Sequence, residues 1–211
     1  MNVKKTIIIV ATAVLLLVAL FTVFILLTNK NINLVNEEYA SFKDLMYKLS
    51  LSEKQVQLIP ENYTMLGDPY GIYYKTDKKH LTELWIYNVD IHNVPSEVRD
   101  FPKLKKLVIK NSSMVNLGEG FGLMENLEEL ILSNNKIKSF ESIIYFPNLK
   151  RLDLSYNNIS HLTETLGEMK KLEYLNLEGN DISALEHLEF ESGNFCFCEK
   201  KNMYDRIANY L

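Results

Sequence analysis

A repeated spacing of apolar residues dominates this 211-residue chain from Leu81 onward. Five consecutive segments begin with leucine at intervals of 23, 23, 22 and 23 residues. Within each segment, apolar side chains recur at positions one, four, six, eleven and fourteen. The five sets are Leu81, Leu84, Ile86, Ile91, Val94; Leu104, Leu107, Ile109, Met114, Leu117; Leu127, Leu130, Leu132, Ile137, Phe140; Leu149, Leu152, Leu154, Ile159, Leu162; and Leu172, Leu175, Leu177, Ile182, Leu185. Such a period predicts stacked units, because each one alone has too little apolar surface to fold.

The internal pattern of each segment indicates a short strand followed by a tight turn. Positions four and six alternate as in a β-strand and place both side chains on one face. Position nine is Asn135, Asn157 and Asn180 in the last three segments, whereas the second has Ser112 and the first has Val89. A short polar side chain there can bond backbone groups of adjacent units that would be costly to bury without a partner.

These positions resemble the leucine-rich repeat family, whose signature is LxxLxLxxNxI. The resemblance extends from Leu81 to about Leu188, over units 81–103, 104–126, 127–148, 149–171 and 172–188. The first unit is similar to the 23-residue typical class, and the third, with 22 residues, is similar to the internalin-type spacing. The resemblance implies an α/β solenoid, a horseshoe segment with a parallel concave sheet. It also implies a structural asparagine ladder of Asn135, Asn157 and Asn180, with Ser112 as a weak continuation.

The amino terminus carries a long apolar run. Residues Thr6 to Thr28 contain no charge, glycine or proline. As a helix they would span about 34 Å, enough for a hydrocarbon core of about 30 Å. A cleaved signal peptide is the alternative, but its apolar region is normally shorter and ends in small residues. Lys4 and Lys5 precede the run and Lys30 follows it, which favours a cytoplasmic amino terminus.

The resulting domain prediction has five parts. They are a short cytoplasmic tail (1–5), a transmembrane signal anchor (6–28), a stalk and N-terminal cap (29–80), the repeats (81–188) and a C-terminal cap (189–211). Tyr39 to Leu49 shows a helical apolar stripe, and Ser52 to Gln55 resembles a capping box that would open a short second helix before Pro60. Met203, Ile207 and Leu211 predict a capping helix at the other end.

Several functional classes receive no support from the sequence. A net charge of −4 argues against sequence-independent nucleic-acid binding, which needs a basic face. The two cysteines, Cys196 and Cys198, exclude a disulfide-stapled miniprotein and a four-cysteine metal site. They are interpreted as buried thiols of a last strand, with an intermolecular or strained local disulfide as the alternative. No catalytic, cofactor or metal site and no small-molecule substrate is predicted, so the chain is not expected to be an enzyme.

The strand positions that face away from the core define a candidate binding surface. Position five places Trp85, Val108 and Ile131 in a row across three neighbouring strands, with Tyr87 beside it. Polar residues would be expected on a solvated face, and contiguous apolar patches with aromatic anchors mark contact sites. These four residues are therefore the predicted protein-binding site. The alternative is that the stalk or N-terminal cap folds over the row.

Charges on the same face alternate in sign from strand to strand. Position three carries Glu83, Lys106, Glu129 and Arg151 in successive segments, and position two repeats this alternation. Neighbouring strands lie about 4.8 Å apart, so these charges are expected to pair across the sheet. Pairs of this kind contribute only a few tenths of a kcal/mol each, so they are interpreted as structural.

The functional hypothesis is a single-pass membrane protein with its amino terminus in the cytoplasm. Its repeats would lie outside the membrane and bind a protein partner through the concave face, without catalysis. A structural scaffold subunit of a membrane complex is the main alternative. A surface adhesin is a further one, suggested by the spacing of the third repeat.

Overall fold

The computed structural model describes residues 34–59, 69–117, 124–139, 146–161 and 169–182. They form helix α1 (Asn36–Lys48), two 3-10 helices (Glu53–Gln55 and Ser96–Asp100) and seven strands. The strands are β1 (Val56–Leu58), β2 (Gly71–Asp77), β3 (His80–Tyr87), β4 (Lys106–Lys110), β5 (Glu129–Ile131), β6 (Arg151–Asp153) and β7 (Tyr174–Asn176). None of the helices in these ranges is long and apolar enough to cross a bilayer. The predicted tail, membrane segment (6–28) and C-terminal cap (189–211), with Cys196 and Cys198, lie outside the described residues.

All seven strands join one sheet in chain order. Strands β3 to β7 are parallel, and their register pairs Glu83 with Lys106, Lys106 with Glu129, and Glu129 with Arg151. Equivalent positions of successive repeats are thus direct neighbours. The predicted solenoid of parallel strands is confirmed.

The core consists of the apolar positions that recur in the sequence. The leucines at position four of the five repeats have no exposed surface, namely Leu84, Leu107, Leu130, Leu152 and Leu175. The other recurring positions are buried as well, except Ile182, which is half-buried. Phe140, Leu162 and Leu185 fall outside the described residues. The repeat period therefore identifies the core correctly wherever it can be compared.

Asparagines at position nine connect successive repeats. The Asn157 amide donates to the carbonyl oxygens of Leu132 and Leu154, and its Oδ1 accepts a hydrogen bond of 3.0 Å from the Ile137 N–H. Asn135 and Asn180 make equivalent contacts. Ser112 does not continue this ladder, because its hydroxyl donates to Lys110 in its own repeat.

A second regularity lies at position eight, in the turn that follows each strand. The backbone there is left-handed in all five repeats, with φ between 54° and 71° at Asn88, Asn111, Asn134, Tyr156 and Gly179. Asparagine and glycine tolerate this conformation better than other residues do. The three asparagines recur at the repeat period, so this turn conformation has a signal in the sequence that the apolar pattern alone does not contain.

The sequence predicts two helices before the repeats, and only the first of them forms in the described residues. The apolar stripe from Tyr39 to Leu49 forms α1, and Phe42 packs on the rings of Tyr74 and Phe101 at 5.1 and 6.2 Å. The predicted second helix is absent from the described residues, since a single 3-10 turn leads directly into β1. The capping contact forms, with Gln55 Oε1 2.9 Å from the Ser52 nitrogen. In β1 the backbone groups form hydrogen bonds to β2. A helix before Pro60 would be too short to be stable by itself, so the strand is the favoured structure.

Candidate protein-interaction face

One face of the sheet carries the side chains at positions three, five and seven of each repeat. The apolar side chains at positions four and six point into the core, so the alternate residues project to the other side. The register places Trp85, Val108, Ile131, Asp153 and Asn176 in one row across β3 to β7. The predicted row is therefore continuous. It changes from apolar to polar between β5 and β6.

The first two members of the row are buried. Trp85 is 7% exposed and Val108 is 2% exposed, and both pack in a cluster with Ile59. Their burial agrees with the alternative that the stalk and N-terminal cap region (29–80) folds over this part of the row. The cause is β1, which the sequence pattern did not predict. It carries the chain to Ile59, whose N–H donates to the Tyr74 carbonyl oxygen at 2.8 Å.

Aromatic and cationic groups complete the packing at this end of the face. Lys75 lies 5.3 Å from the centre of the Trp85 ring, and the rings of Tyr73 and Tyr87 meet edge to face at 6.2 Å. Tyr73, Tyr87 and Ile131 surround the cluster and remain half-buried. Of the four predicted binding residues, Tyr87 and Ile131 thus retain accessible surface, while Trp85 and Val108 form the packed layer beside them.

Ion pairs follow the strand register for part of the charged rows. Lys106 lies 2.6 Å from Glu129, and Lys75 of β2 lies 3.4 Å from Glu83. Arg151 departs from the expected pairing, because its guanidinium lies 3.7 Å from the centre of the Tyr174 ring. Such stacking is a cation–π contact. The charge alternation therefore predicts some pairs correctly, whereas an aromatic neighbour changes the partner of Arg151.

The side chains at position two, just before each strand, form a second set of ion pairs. Glu128 lies 3.6 Å from Lys105 and 2.7 Å from Lys150. The hydrogen bond from Lys150 lowers the pKa of Glu128, and the same contact raises the pKa of Lys150. Because both lysines are exposed and Glu128 is only partly buried, the contribution of these pairs to stability is small.

Within the described ranges, no group of three or more histidine, cysteine or acidic side chains is arranged to hold a metal ion. The described residues of this face provide an apolar cluster around Trp85 and a set of surface charges. Nothing in them shows enzymatic activity.

Comparisons with known proteins agree with the repeat assignment. Leucine-rich repeat family models match residues 141–182 and 126–146. The leucine-rich repeat ectodomain of the receptor kinase SOBIR1 from Arabidopsis thaliana is similar in structure, with a TM-score of 0.50 and 17% identity over 79% of this chain and 94% of that one. At this identity the likeness concerns the fold alone.

A leucine-rich repeat protein of Leptospira interrogans also matches. Its identity is 26%, with a TM-score of 0.45, over 57% of this chain and 31% of that protein. The chain thus spans about a third of the length of that protein. No curated protein matches the sequence. The family models, the register of the sheet and the fold of the SOBIR1 ectodomain together support leucine-rich repeats in this chain. Such repeats are typical of non-enzymatic binding modules.

Proposed function

We propose that this chain is a membrane-anchored protein-interaction module whose partner docks on the concave face around Ile131 and Tyr87. The observation that carries the proposal is the half-buried apolar surface of these two residues at the margin of the Trp85 cluster. Aromatic and apolar side chains of this kind are the usual anchors of protein interfaces. Leucine-rich repeat domains commonly bind proteins.

The buried members of the row have a supporting part in this proposal. Trp85 and Val108 pack with Ile59, and the cluster holds Ile131 and Tyr87 from one side. A contact surface held by packed neighbours loses little side-chain freedom when a partner binds, and this favours affinity. The half-buried side chain of Asp153 would then form part of the polar rim at the C-terminal end.

Ile131→Glu is expected to abolish partner binding without unfolding the chain. A charge at this half-buried position would lose its hydration when the partner covers it. The test uses the full chain in its native host cells, with a photo-crosslinking amino acid in place of Tyr87. We expect a discrete crosslinked product that disappears when Ile131→Glu is added.

The matched control is Lys138→Glu, which changes an exposed residue outside the strands. It should leave the crosslinked product unchanged. Trp85 is the single tryptophan, so its fluorescence reports folding in every variant. A folded chain that yields no product from position 87, or a product that persists in Ile131→Glu, would contradict the proposed site.

The proposed anchor is residues 6–28, with the repeats on the outer side of the membrane. The support is the uncharged length of this run and the lysines before it. External protease on intact cells is expected to digest the repeats, while an amino-terminal fragment resists extraction with alkaline carbonate. Where a cell has two membranes, each is permeabilised in turn. Release of the whole chain by carbonate, or digestion only after the inner membrane is opened, would refute this topology.

A further inference from the structure

Two cations, Lys110 and Arg151, have no acidic partner in the described part of the chain. Both belong to the concave face, which carries positions three, five and seven of the repeats. Lys75 and Lys106 are engaged by Glu83 and Glu129. The Lys110 ammonium makes neither an ion pair nor a hydrogen bond there. Arg151 stacks on Tyr174 and likewise makes no ion pair with a carboxylate. Their N–H donors therefore remain available to a ligand on this face.

These cations lie on opposite sides of Ile131. Strand β5 lies between β4 and β6, and the register pairs Ile131 with Val108 on one side and with Asp153 on the other. Lys110 is two residues beyond Val108, and Arg151 is two residues before Asp153. With strands about 4.8 Å apart and a rise of about 3.3 Å per residue, each Cα lies roughly 8 Å from that of Ile131. The three positions form a diagonal of about 16 Å across the sheet.

We propose that this diagonal recognises an extended acidic segment of the partner, in which an apolar residue has Glu or Asp two positions before it and two positions after it. In an extended chain, these three side chains point to the same side and the outer two lie about 13 Å apart. The long arms of Lys110 and Arg151 cover the remaining distance. The apolar residue would then meet Ile131. This inference rests on the proposed function and specifies its partner.

The acidic residues of this face favour an acidic partner over a basic one. Glu129 is bound to Lys106, and Asp153 Oδ1 accepts hydrogen bonds of 3.0 and 2.6 Å from the backbone N–H and hydroxyl of Ser155. A basic partner would have to compete with Lys106 for Glu129 and share the Asp153 carboxylate with Ser155, whereas carboxylates can approach Lys110 and Arg151 without displacing an existing ion pair. Charge complementarity of this kind sets specificity more than affinity.

The test measures binding of two fluorescent peptides to the full chain in detergent by fluorescence anisotropy. One contains Glu-Ser-Leu-Ser-Glu, and the other has lysine in place of both glutamates. Low salt is used, because exposed charge pairs are then least screened. The acidic peptide is expected to bind, and the double variant Lys110→Glu with Arg151→Glu should weaken this binding about tenfold or more. The same variant should gain affinity for the basic peptide, which a merely unfolded protein would not do.

The control is a double variant of two exposed lysines outside the strands, Lys103→Glu with Lys136→Glu, which has the same change in net charge. It should leave the affinity for the acidic peptide within about twofold. Absence of acidic-peptide binding, equal binding of both peptides, or equal loss in the two double variants would overturn the inference. Crosslinking through position 87 is a separate measurement. If crosslinking depends on Ile131 while the peptide result is negative, the proposed function stands and the acidic partner is refuted.

Discussion

Replacing Asn157 with alanine is expected to lower the free energy of unfolding by about 3 kcal/mol or more, because each buried polar group left without a partner costs about 1–3 kcal/mol. Asn157 is 5% exposed and serves two repeats at once. Its amide donates to the carbonyl oxygens of Leu132 and Leu154, and its Oδ1 accepts from the Ile137 N–H. Alanine can replace none of these contacts.

Urea unfolding of the chain, followed by Trp85 fluorescence, measures this loss. Asn158→Ala is the matched control, since the neighbouring Asn158 side chain is exposed. It should change stability by no more than about 0.5 kcal/mol. A similar unfolding midpoint for the two variants would show that water replaces the Asn157 contacts at no cost and that the ladder is not a source of stability.

The predictable part of the fold is the part set by the period. Once one leucine is placed in a strand, the spacing fixes the phase of every other repeat, so the register of β3 to β7 and the buried leucines follow. The ladder of Asn135, Asn157 and Asn180 follows too, because the resemblance to leucine-rich repeats implies that the side chain at position nine bonds backbone groups of adjacent repeats. Ser112 fails to extend it because its hydroxyl bonds to Lys110 in its own repeat instead of reaching the preceding one.

The unpredicted part lies before the repeats. Strand β1 has only three residues and no clear alternation, and its conformation depends on pairing with β2. No local pattern reveals such a partner. This short strand also decides the state of the candidate site, because it leads to Ile59, which packs on Trp85 and Val108. The repeat pattern predicts which side chains share a face, but it leaves open whether the segment before the repeats covers them.

The turn conformation of Tyr156 likewise depends on contacts that a local sequence pattern does not reveal. Tyr156 adopts a φ of 54°, which is uncommon for a bulky side chain. Its hydroxyl donates to Glu178 at 2.5 Å, and this hydrogen bond raises the pKa of Tyr156. Its ring lies so close to Gly179 that an added Cβ there would be 2.5 Å from it. Neighbouring repeats therefore hold a conformation that the sequence of one turn does not favour.

Removing the Glu38 carboxylate is expected to have the second large effect, a loss of about 2–3 kcal/mol in the free energy of unfolding of Glu38→Ala, because a buried donor left without an acceptor costs about 1–3 kcal/mol. Glu38 is 2% exposed in helix α1. One carboxylate oxygen accepts a 2.7 Å hydrogen bond from the Leu81 N–H, and the other lies 2.8 Å from His80 Nδ1. Alanine leaves the Leu81 N–H buried without an acceptor, at the start of the first repeat.

The position of Glu38 explains why the apolar stripe did not reveal it. Glu38 is four residues before Phe42, so it shares the buried side of α1, but a helical pattern cannot identify donors on another element. Urea unfolding should place Glu38→Gln between the wild type and Glu38→Ala, because the amide oxygen preserves one of the two contacts. Glu37→Ala is the control, since Glu37 is exposed in the same turn. Equal stability of Glu37→Ala and Glu38→Ala would show that the helix is held to the repeats by the packing of Phe42 and not by this carboxylate.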